Sequence, residues 1–289
     1  MNQSGIRQLR ALLALSRVSH LPTVWSNCLA GWWLGGQGNP AKLPWLFLGV
    51  SALYTGGAFL NDAFDADSDR LRRTDRPIPS GAISTTAVWR WGLGWLGLGL
   101  VCLMLVGKLT GALATGLLLS IFLYDATHKA VTASPWLMGV CRFWVYVIAS
   151  SAGAMRVNGD AVWCGVALGF YMAGLGYLAQ HESSRGRPPR WPLILMAAPV
   201  AFALLMNAGE FRTLALLPAL VLLLWIALRT RTVFQAAETN VGHIVSGLLA
   251  GIVFVDWLAV APVCPRSLGF AFLTLWGITL ALQRLGPAV

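Results

Sequence analysis

Charge is scarce in this chain of 289 residues. Asp, Glu, Lys and Arg together make up 11% of it, whereas soluble domains carry about a quarter. Apolar residues make up 57%, and the mean hydropathy is +0.67. This balance argues against a soluble domain and predicts a membrane protein. The 14 Trp and 31 Gly agree with it, because Trp favours the membrane–water interface and Gly is common in spanning helices.

The sequence also lacks closely spaced cysteine pairs. Its five cysteines stand at positions 28, 102, 141, 164 and 264, mostly inside apolar blocks. They predict small buried side chains rather than a disulfide or metal framework. The net charge of +10 arises from basic residues that lie between apolar blocks. We therefore expect these residues to orient the chain in a bilayer, and we do not expect nucleic-acid binding.

Ten apolar segments are candidate membrane spans, since a spanning helix needs about 20 largely apolar residues. They lie at roughly 18–35, 43–60, 86–106, 109–124, 135–154, 161–180, 191–207, 213–228, 241–261 and 267–284. The last segment is the one to omit if the number is nine. The sequence shows no strand pattern and no second domain. Residues 1–289 are therefore predicted to form one all-α, polytopic membrane bundle of nine to ten transmembrane helices.

The distribution of Lys and Arg predicts the orientation of this bundle. If the N-terminus is cytoplasmic and the loops alternate, fifteen basic residues fall on the cytoplasmic side and five on the other. Cytoplasmic loops carry the excess of Lys and Arg in membrane proteins. We therefore predict a multi-pass protein of a bacterial-type inner (plasma) membrane with its N-terminus inside. The first apolar stretch has no convincing cleavage site, so we interpret it as a retained span.

The scarce charges concentrate in one stretch, "FLNDAFDADSDRLRRTDRPIPSG". If the second span continues as a helix, Asp62, Asp65 and Asp69 lie at i, i+3 and i+7 on one face. Three carboxylates there repel one another unless a cation neutralises them, and Mg²⁺ commonly binds a few carboxylates together with substrate phosphates. Arginines suited to phosphate oxygens follow; they are Arg70, Arg73 and Arg76. The alternative is a solvated charged loop that only orients the helix.

The run "NDAFDADSD" followed by "RRTDRPIPSG" resembles the first aspartate-rich motif of the UbiA superfamily of intramembrane prenyltransferases. The resemblance extends over essentially the whole chain. It implies a helical bundle that binds a polyprenyl diphosphate through Mg²⁺ and transfers the prenyl chain to an aromatic or other acceptor. Mn²⁺ is a possible substitute at such a site. The resemblance assigns residues 76–81 to a turn before the third span, and it assigns the metal–diphosphate ligands to Asn61, Asp62, Asp65 and Asp69.

A second stretch, "LYDATHKAVTASPWLMGVCR", resembles the Tyr…Lys…Pro…Gly pattern of the same family. The resemblance places Tyr124 and Lys129 beside the diphosphate, with Asp125 and His128 nearby. We interpret His128 by itself as an interfacial histidine. Arg142 is charged within a span, where such residues usually face a cavity or a partner. It is expected either to line the site or to form a structural pair, with Asp125 as the candidate partner.

The second aspartate-rich motif of the family is missing. The matching stretch, "YMAGLGYLAQHESSRGRPPRWP", contains no Asp. Its possible ligands are Gln180, His181 and Glu182, of which only Glu182 is anionic. Because the departing diphosphate accumulates negative charge that the site must stabilise, this loss predicts slower ionisation while binding remains possible. We interpret the nearby arginines at 185, 187 and 190 as charges of a solvated loop.

This departure resembles the divergent EboC branch of the superfamily, which has an Ala-x-x-Glu-type sequence in place of the second motif. That branch implies the handling of a lipid-linked or small-molecule precursor. It commonly has Arg-x-x-Asn in the fifth span, where this chain has Arg142-Phe-Trp-Val-Tyr146.

Two functions follow from these patterns. The first is a Mg²⁺-dependent intramembrane prenyltransferase that uses an isoprenoid diphosphate and a lipophilic aromatic or lipid acceptor. The second is a non-catalytic binder or export component for a lipid-linked or small-molecule precursor. The predicted catalytic residues are Asp62, Asp65, Asp69, Tyr124 and Lys129. The predicted substrate-binding residues are Asn61, Arg70, Arg73, Arg76, Asp125, Arg142 and Glu182.

Overall fold

The computed structural model describes residues 3–181, 189–235 and 241–285. These residues form α-helices joined by turns and two short 3₁₀ segments, and they contain no strand. The helices are α1 (Gln3–Leu15), α2 (Leu21–Leu34), α3 (Leu43–Arg72), α4 (Thr85–Val106), α5 (Lys108–Thr127), α6 (Ser134–Ser151), α7 (Gly159–Ala179), α8 (Pro192–Met206), α9 (Gly209–Gln235), α10 (Val241–Ala250), α11 (Ile252–Val260) and α12 (Arg266–Leu285). The predicted all-α membrane bundle is confirmed.

Six segments within the described ranges are long and apolar enough to cross a membrane, and each coincides with a predicted span. They are Pro40–Leu71, Thr85–Val106, Lys108–Thr127, Gly159–Ala179, Gly209–Arg231 and Val241–Val260. Helices α2 and α8, also predicted as spans, have only 14 and 15 residues. The number of nine to ten spans therefore stays a prediction.

Glycines bring two pairs of helices into close contact. A Cβ atom on Gly99 of α4 would lie 2.7 Å from the carbonyl oxygen of Gly49 on α3. A Cβ atom on Gly31 of α2 would lie 2.7 Å from the carbonyl oxygen of Tyr146 on α6. Small residues allow spanning helices to approach closely and gain van der Waals contact. The second contact holds α2 against α6, which matters for the polar groups that these helices share.

Helix α3 continues through the charged stretch as a single helix of 30 residues. The following turn resembles the one expected from the sequence: Gly81 adopts a left-handed φ of 71°, and Ser84 Oγ accepts a hydrogen bond from the Ala87 amide at the start of α4. Arg7 of α1 donates to the Ser80 carbonyl at 2.8 Å. The turn is thus fixed from both sides, and it returns the chain beside the end of α3.

The predicted ninth span is divided between α10 and α11 at Gly251. The Tyr171 hydroxyl donates to the Leu248 carbonyl at 2.7 Å, and a Cβ atom on Gly251 would lie 2.5 Å from the same hydroxyl oxygen. The Leu248 carbonyl also accepts from the Gly251 amide at 2.9 Å. An approaching tyrosine that bonds a helix carbonyl explains this interruption. Helix α11 carries Asp256 into the interior.

Candidate functional site

The predicted aspartate face forms at the end of α3. The side chains of Asp62, Asp65 and Asp69 are 13%, 14% and 10% exposed, whereas the side chain of Asp67 is 92% exposed. Asp67 instead pairs with Arg70 at 2.6 Å. The helical spacing therefore separates three enclosed carboxylates from one that faces outward.

Arginines from outside α3 neutralise two of these carboxylates. Arg76, in the turn after α3, lies 3.1 Å from Asp62 and 2.9 Å from Asp69. Arg17, between α1 and α2, lies 3.5 Å from Asp62 and donates to the Asn61 side-chain oxygen at 2.8 Å. The family resemblance did not point to Arg17. Its long separation in sequence from the motif explains why.

The third carboxylate is paired with the segment that follows α5. Lys129 Nζ lies 2.6 Å from Asp65 and also donates to Ser68 Oγ at 2.8 Å. His128 Nε2 lies 3.1 Å from Asp65, and the Tyr124 ring stacks on His128 at 5.3 Å. The hydrogen bond to Asp65 raises the pKa of His128 above its usual value. His128, which the sequence predicted to be an interfacial histidine rather than a ligand, therefore belongs to the cluster through its contact with Asp65.

Asp125 joins the cluster through Asn61 rather than through Arg142. The Asn61 side-chain amide donates to Asp125 Oδ1 at 3.1 Å. The other carboxylate oxygen, Oδ2, is buried and has no hydrogen-bond partner within the described part of the chain. Arg142 instead bonds Thr23 and Asn27, so the expected pair of Arg142 with Asp125 is wrong.

A cavity of about 340 Å³ opens beside this cluster, within the size range of small-molecule sites. Along α3 its wall runs from Asn61 to Val50, which corresponds to about 16 Å of helix. The charged and polar lining residues near the end of α3 form a rim; they are Arg17, Asn61, Arg73, Arg76, Tyr124 and Asp125. Most of the remaining lining is apolar, and it includes Val24, Leu117, Ile121, Val145, Met172, Leu175 and Leu249.

Several predicted residues fall outside this lining. The aspartates of α3 are held by the cations and are not among the lining residues, and neither is Arg70. Gln180 donates to Ser134 at 3.4 Å, and His181 contacts the Tyr177 carbonyl, so neither faces the cavity. Glu182 lies outside the described residues. Arg142, by contrast, does line the cavity.

One buried carboxylate, that of Asp256, was not among the residues predicted from the sequence. Asp256 is 0% exposed and accepts hydrogen bonds from Ser26 Oγ, from the Asn27 amide at 2.8 Å and from the Tyr146 hydroxyl at 2.6 Å. The side-chain oxygen of Asn27 in turn accepts from Arg142 at 2.7 Å. A lone Asp in an apolar span was the available signal, because intramembrane charges are costly and usually functional.

The donor set at the end of α3 fits Mg²⁺ in its chemistry. Within the ranges that the structure describes, no three Asp, Glu, His or Cys side chains converge closely enough to hold a metal ion. The carboxylates are instead paired with protein cations. The available atoms are nevertheless hard oxygens, which Mg²⁺ prefers. The buried Oδ2 of Asp125 also stands out, since such atoms are nearly always paired.

These features define a helical membrane protein whose cavity has a charged rim and a largely apolar wall between the helices. The family model described as the UbiA prenyltransferase family matches residues 20–238. The chain belongs to this family. The resemblance noted from the sequence is thereby confirmed for the superfamily, while the EboC branch stays a prediction.

Curated relatives share part of the chain. Digeranylgeranylglyceryl phosphate synthase of Ignicoccus hospitalis is 33% identical over 129 residues, which are 45% of this chain and 42% of the relative. Protoheme IX farnesyltransferase of Aquifex aeolicus is 30% identical over 95 residues, or 32% of each chain. The alignments thus span less than half the length of these relatives.

Solved structures share the fold across most of the chain. A structure described as digeranylgeranylglyceryl phosphate synthase in membranes has a TM-score of 0.63 and 18% identity, and it covers 89% of this chain and 99% of its own. A UbiA homologue from Archaeoglobus fulgidus bound to DMAPP and Mg²⁺ has a TM-score of 0.50 and 17% identity, with 94% and 98% coverage. At these identities the likeness establishes the fold.

Proposed function

We propose that this protein is a Mg²⁺-dependent intramembrane prenyltransferase. In this proposal it transfers a prenyl chain from an isoprenoid diphosphate to a lipophilic aromatic or lipid acceptor. The observation that carries the proposal is the arrangement of the cavity, whose rim holds several cations and whose remaining wall is mostly apolar. The rim residue Arg76 also contacts the enclosed Asp62 and Asp69 of α3, which lie next to the rim without lining the cavity. A diphosphate lipid has the same division between a charged head and an apolar tail.

The aspartate face would hold the metal. The oxygens available to Mg²⁺ come from Asn61, Asp62, Asp65 and Asp69. When bound, the ion supplies positive charge to the leaving diphosphate. Because these carboxylates contact protein cations, a metal held by the carboxylates would leave those cations available to phosphate oxygens. Arg76 and Lys129 are the proposed phosphate ligands from this exchange, and Arg73 adds a further cation at the rim.

The remaining side chains act on the substrate. Tyr124 lines the rim and can donate its hydroxyl to a phosphate oxygen. The apolar wall would hold the prenyl tail and exclude water, which protects an allylic cation from hydrolysis. The carbon–oxygen bond of the donor breaks with its electron pair leaving on diphosphate. The acceptor then bonds the allylic carbon and loses a proton.

Similar proteins support this class of reaction. The Archaeoglobus homologue has been solved with DMAPP and Mg²⁺. The relatives carry the names digeranylgeranylglyceryl phosphate synthase and protoheme IX farnesyltransferase, which indicate different acceptors. We therefore propose the donor class and leave the acceptor as aromatic or lipid. We also propose a cytoplasmic N-terminus and rim in a bacterial-type inner membrane, with residues 1–289 as one domain.

A non-catalytic function is the second candidate. The absence of Asp from the stretch between α7 and α8 favours it, because the leaving diphosphate would lack a second group of metal ligands. In that case the same rim would hold a diphosphate lipid or a related precursor without breaking it, during storage or export.

Pyrophosphate release would decide between the two functions. The purified protein in lipid is incubated with geranyl, farnesyl or geranylgeranyl diphosphate and aromatic acceptors, with and without Mg²⁺. Asp65→Asn removes an enclosed carboxylate, and Asp67→Asn is the matched control on the exposed face of the same helix. We expect Mg²⁺-dependent release that is lost only in Asp65→Asn. Binding without release would favour the second candidate, and equal binding by both variants would contradict the assigned donor site.

A further inference from the structure

A second cavity opens between α7, α8 and α11, at the opposite end of α7 from the charged rim. Its volume is about 220 Å³, and its lining along α7 begins at Asp160 and ends at Ala167. The cavity beside the rim is lined by Ala179, at the other end of the same helix. About 28 Å of helix separates Asp160 from Ala179, which is close to the ~30 Å thickness of the hydrocarbon core of a bilayer. The two cavities therefore open toward opposite membrane faces.

The interior of this second cavity is apolar. Side chains from four helices form most of its wall, and they include Leu34, Ala167, Phe202, Ala203, Val255 and Leu258. From Asp160 to Ala167 the cavity follows α7 for about 10 Å toward the middle of the membrane. An apolar wall of this depth suits a hydrocarbon chain whose polar head stays at the membrane surface, because the chain is removed from water along its length.

Among the described residues, Asp160 is the only charged residue in this lining. It lies exposed in the first turn of α7, and no Lys, Arg or His nitrogen of the described ranges is within 4.0 Å of its carboxylate. Aromatic rings line the cavity beside it: the Trp163 and Phe202 ring centres are 6.0 Å apart, and Phe211 is 54% exposed. Cations are attracted to aromatic faces, most of all to Trp. This part of the wall therefore suits an ammonium group rather than an anion.

A cation lies at the mouth of the same cavity, next to the lining residue Phe211. Arg212 of α9 donates through Nε to the Asn207 carbonyl at 3.0 Å, and Asn207 lines the cavity. No carboxylate in the part of the chain that the structure describes lies within 4.0 Å of this guanidinium. An arginine has five N–H donors, so others remain for a phosphate group. The mouth thus presents a carboxylate on α7 and a guanidinium on α9.

We infer that this second cavity binds an aminophospholipid of the phosphatidylethanolamine type. Its ammonium group contacts Asp160 and the Trp163 ring, its phosphate contacts Arg212, and one acyl chain enters the apolar cavity. The zwitterionic headgroup matches both charges at the mouth. An anionic phospholipid instead offers Asp160 no cation and adds a second negative charge to its surroundings. The site lies at the opposite membrane face from the rim, so it does not depend on the proposed function.

Titration calorimetry on the full-length protein in micelles of a neutral detergent tests this site. Dihexanoyl phosphatidylethanolamine and dihexanoyl phosphatidylglycerol are the paired probes, since they share chains and phosphate and differ in the ammonium group. Hexylamine carries the ammonium group without a phosphate. We expect the ethanolamine lipid to bind about fivefold more tightly than the glycerol lipid, which is the size that a solvent-accessible pair of charges supports. Hexylamine should bind more weakly than the ethanolamine lipid.

Two variants assign the two halves of the headgroup. Asp160→Asn should weaken the ethanolamine lipid and hexylamine about fivefold and leave the glycerol lipid unchanged, because only the ammonium group loses its partner. Arg212→Gln should weaken both phospholipids severalfold and leave hexylamine unchanged, because it removes a phosphate ligand. Glu210→Gln is the matched control, since Glu210 is an exposed acid at the start of α9 that does not line the cavity. It should leave all three affinities unchanged.

Several results would overturn the site. Equal binding of the two phospholipids by the unmodified protein would do so, as would an equal loss in Asp160→Asn and Glu210→Gln. Hexylamine that binds as tightly as the ethanolamine lipid would mean that a cation alone is recognised. Weaker phospholipid binding in Arg76→Gln would place the probes at the rim. If Asp160→Asn does not fold, Trp163→Leu takes its place: it should weaken the ethanolamine lipid and spare the glycerol lipid, and equal effects on both would contradict the inference.

Discussion

Replacement of Arg76 with Gln should change the affinities for metal and for diphosphate in opposite directions. Arg76 contacts Asp62 at 3.1 Å and Asp69 at 2.9 Å, and its side chain is 21% exposed. A metal ion that binds the ligand-free protein must displace the guanidinium from both carboxylates. In the donor complex, the same guanidinium is proposed to bind phosphate oxygens. Arg76→Gln therefore removes a competitor of the metal ion in the ligand-free protein, and it removes a phosphate ligand in the donor complex.

The size of both effects follows from the hydrogen bonds involved. A hydrogen bond to a charged group contributes about 1.5–3 kcal/mol, and about 1.4 kcal/mol corresponds to a tenfold change in affinity. Arg76 is partly exposed, so water replaces some of the lost interaction and the lower end applies. We expect the variant to bind Mn²⁺ alone about tenfold more tightly and the Mg²⁺ complex of geranyl S-thiolodiphosphate about tenfold more weakly.

Titration calorimetry on the protein in micelles would measure both affinities. Arg90→Gln is the matched control, since Arg90 is exposed on α4 and does not line the cavity. It should leave both constants unchanged. A parallel fall of both affinities in Arg76→Gln would mean that Arg76 only holds the turn in place, and two unchanged constants would mean that these ion pairs are solvated. Either result would refute the proposed exchange of cations between carboxylates and phosphate.

Three further predictions concern the fold. Gly99→Ala should lower the free energy of unfolding by about 1–3 kcal/mol, because the added methyl group overpacks against α3. Gly97→Ala is the control, since the space around its Cβ position is open and its stability should not change. Thermal denaturation in detergent compares the two variants. Tyr146→Phe should cost about 1–3 kcal/mol, because the buried carboxylate of α11 loses one of its three donors; an unchanged midpoint would contradict this. Single cysteines in the 35–39 and 73–84 loops should be labelled from opposite membrane faces, since one span separates them, and labelling from the same face would contradict that span.

The aspartate face could be predicted because it depends on one helix. The positions of Asp62, Asp65 and Asp69 fix their common face as soon as α3 continues through the motif. The cations that neutralise them could not be predicted in the same way. Arg17 reaches Asp62 from a left-handed backbone position with φ 46°, which few non-glycine residues adopt. Lys129 was found because the motif resemblance included it.

The buried network illustrates a different limit. Hydropathy identified the last-but-one span correctly, but an average over many residues hides a single acid such as Asp256. Its partners come from α2 and α6, which approach closely because Gly31 has no side chain. The expected pair of Arg142 with Asp125 is wrong because it, too, depends on how the helices pack. Both residues are near each other in sequence, yet α5 and α6 direct them to different neighbours.

The absence of a second aspartate-rich motif changes which groups would have to stabilise the leaving diphosphate. In this protein, the cations Arg17, Arg76 and Lys129 already contact carboxylates of the first motif, and the His128 imidazole contacts Asp65. Without the second motif, the site lacks the carboxylates that would hold a further metal ion, and it lacks the positive charge of that ion. If binding of one Mg²⁺ releases the protein cations toward the phosphates, these side chains supply the positive charge instead. Catalysis should then depend more on arginine and lysine than on a second ion. Pyrophosphate release that saturates at one Mg²⁺ per protein would support this substitution. A requirement for two would mean that another part of the chain supplies the missing ligands.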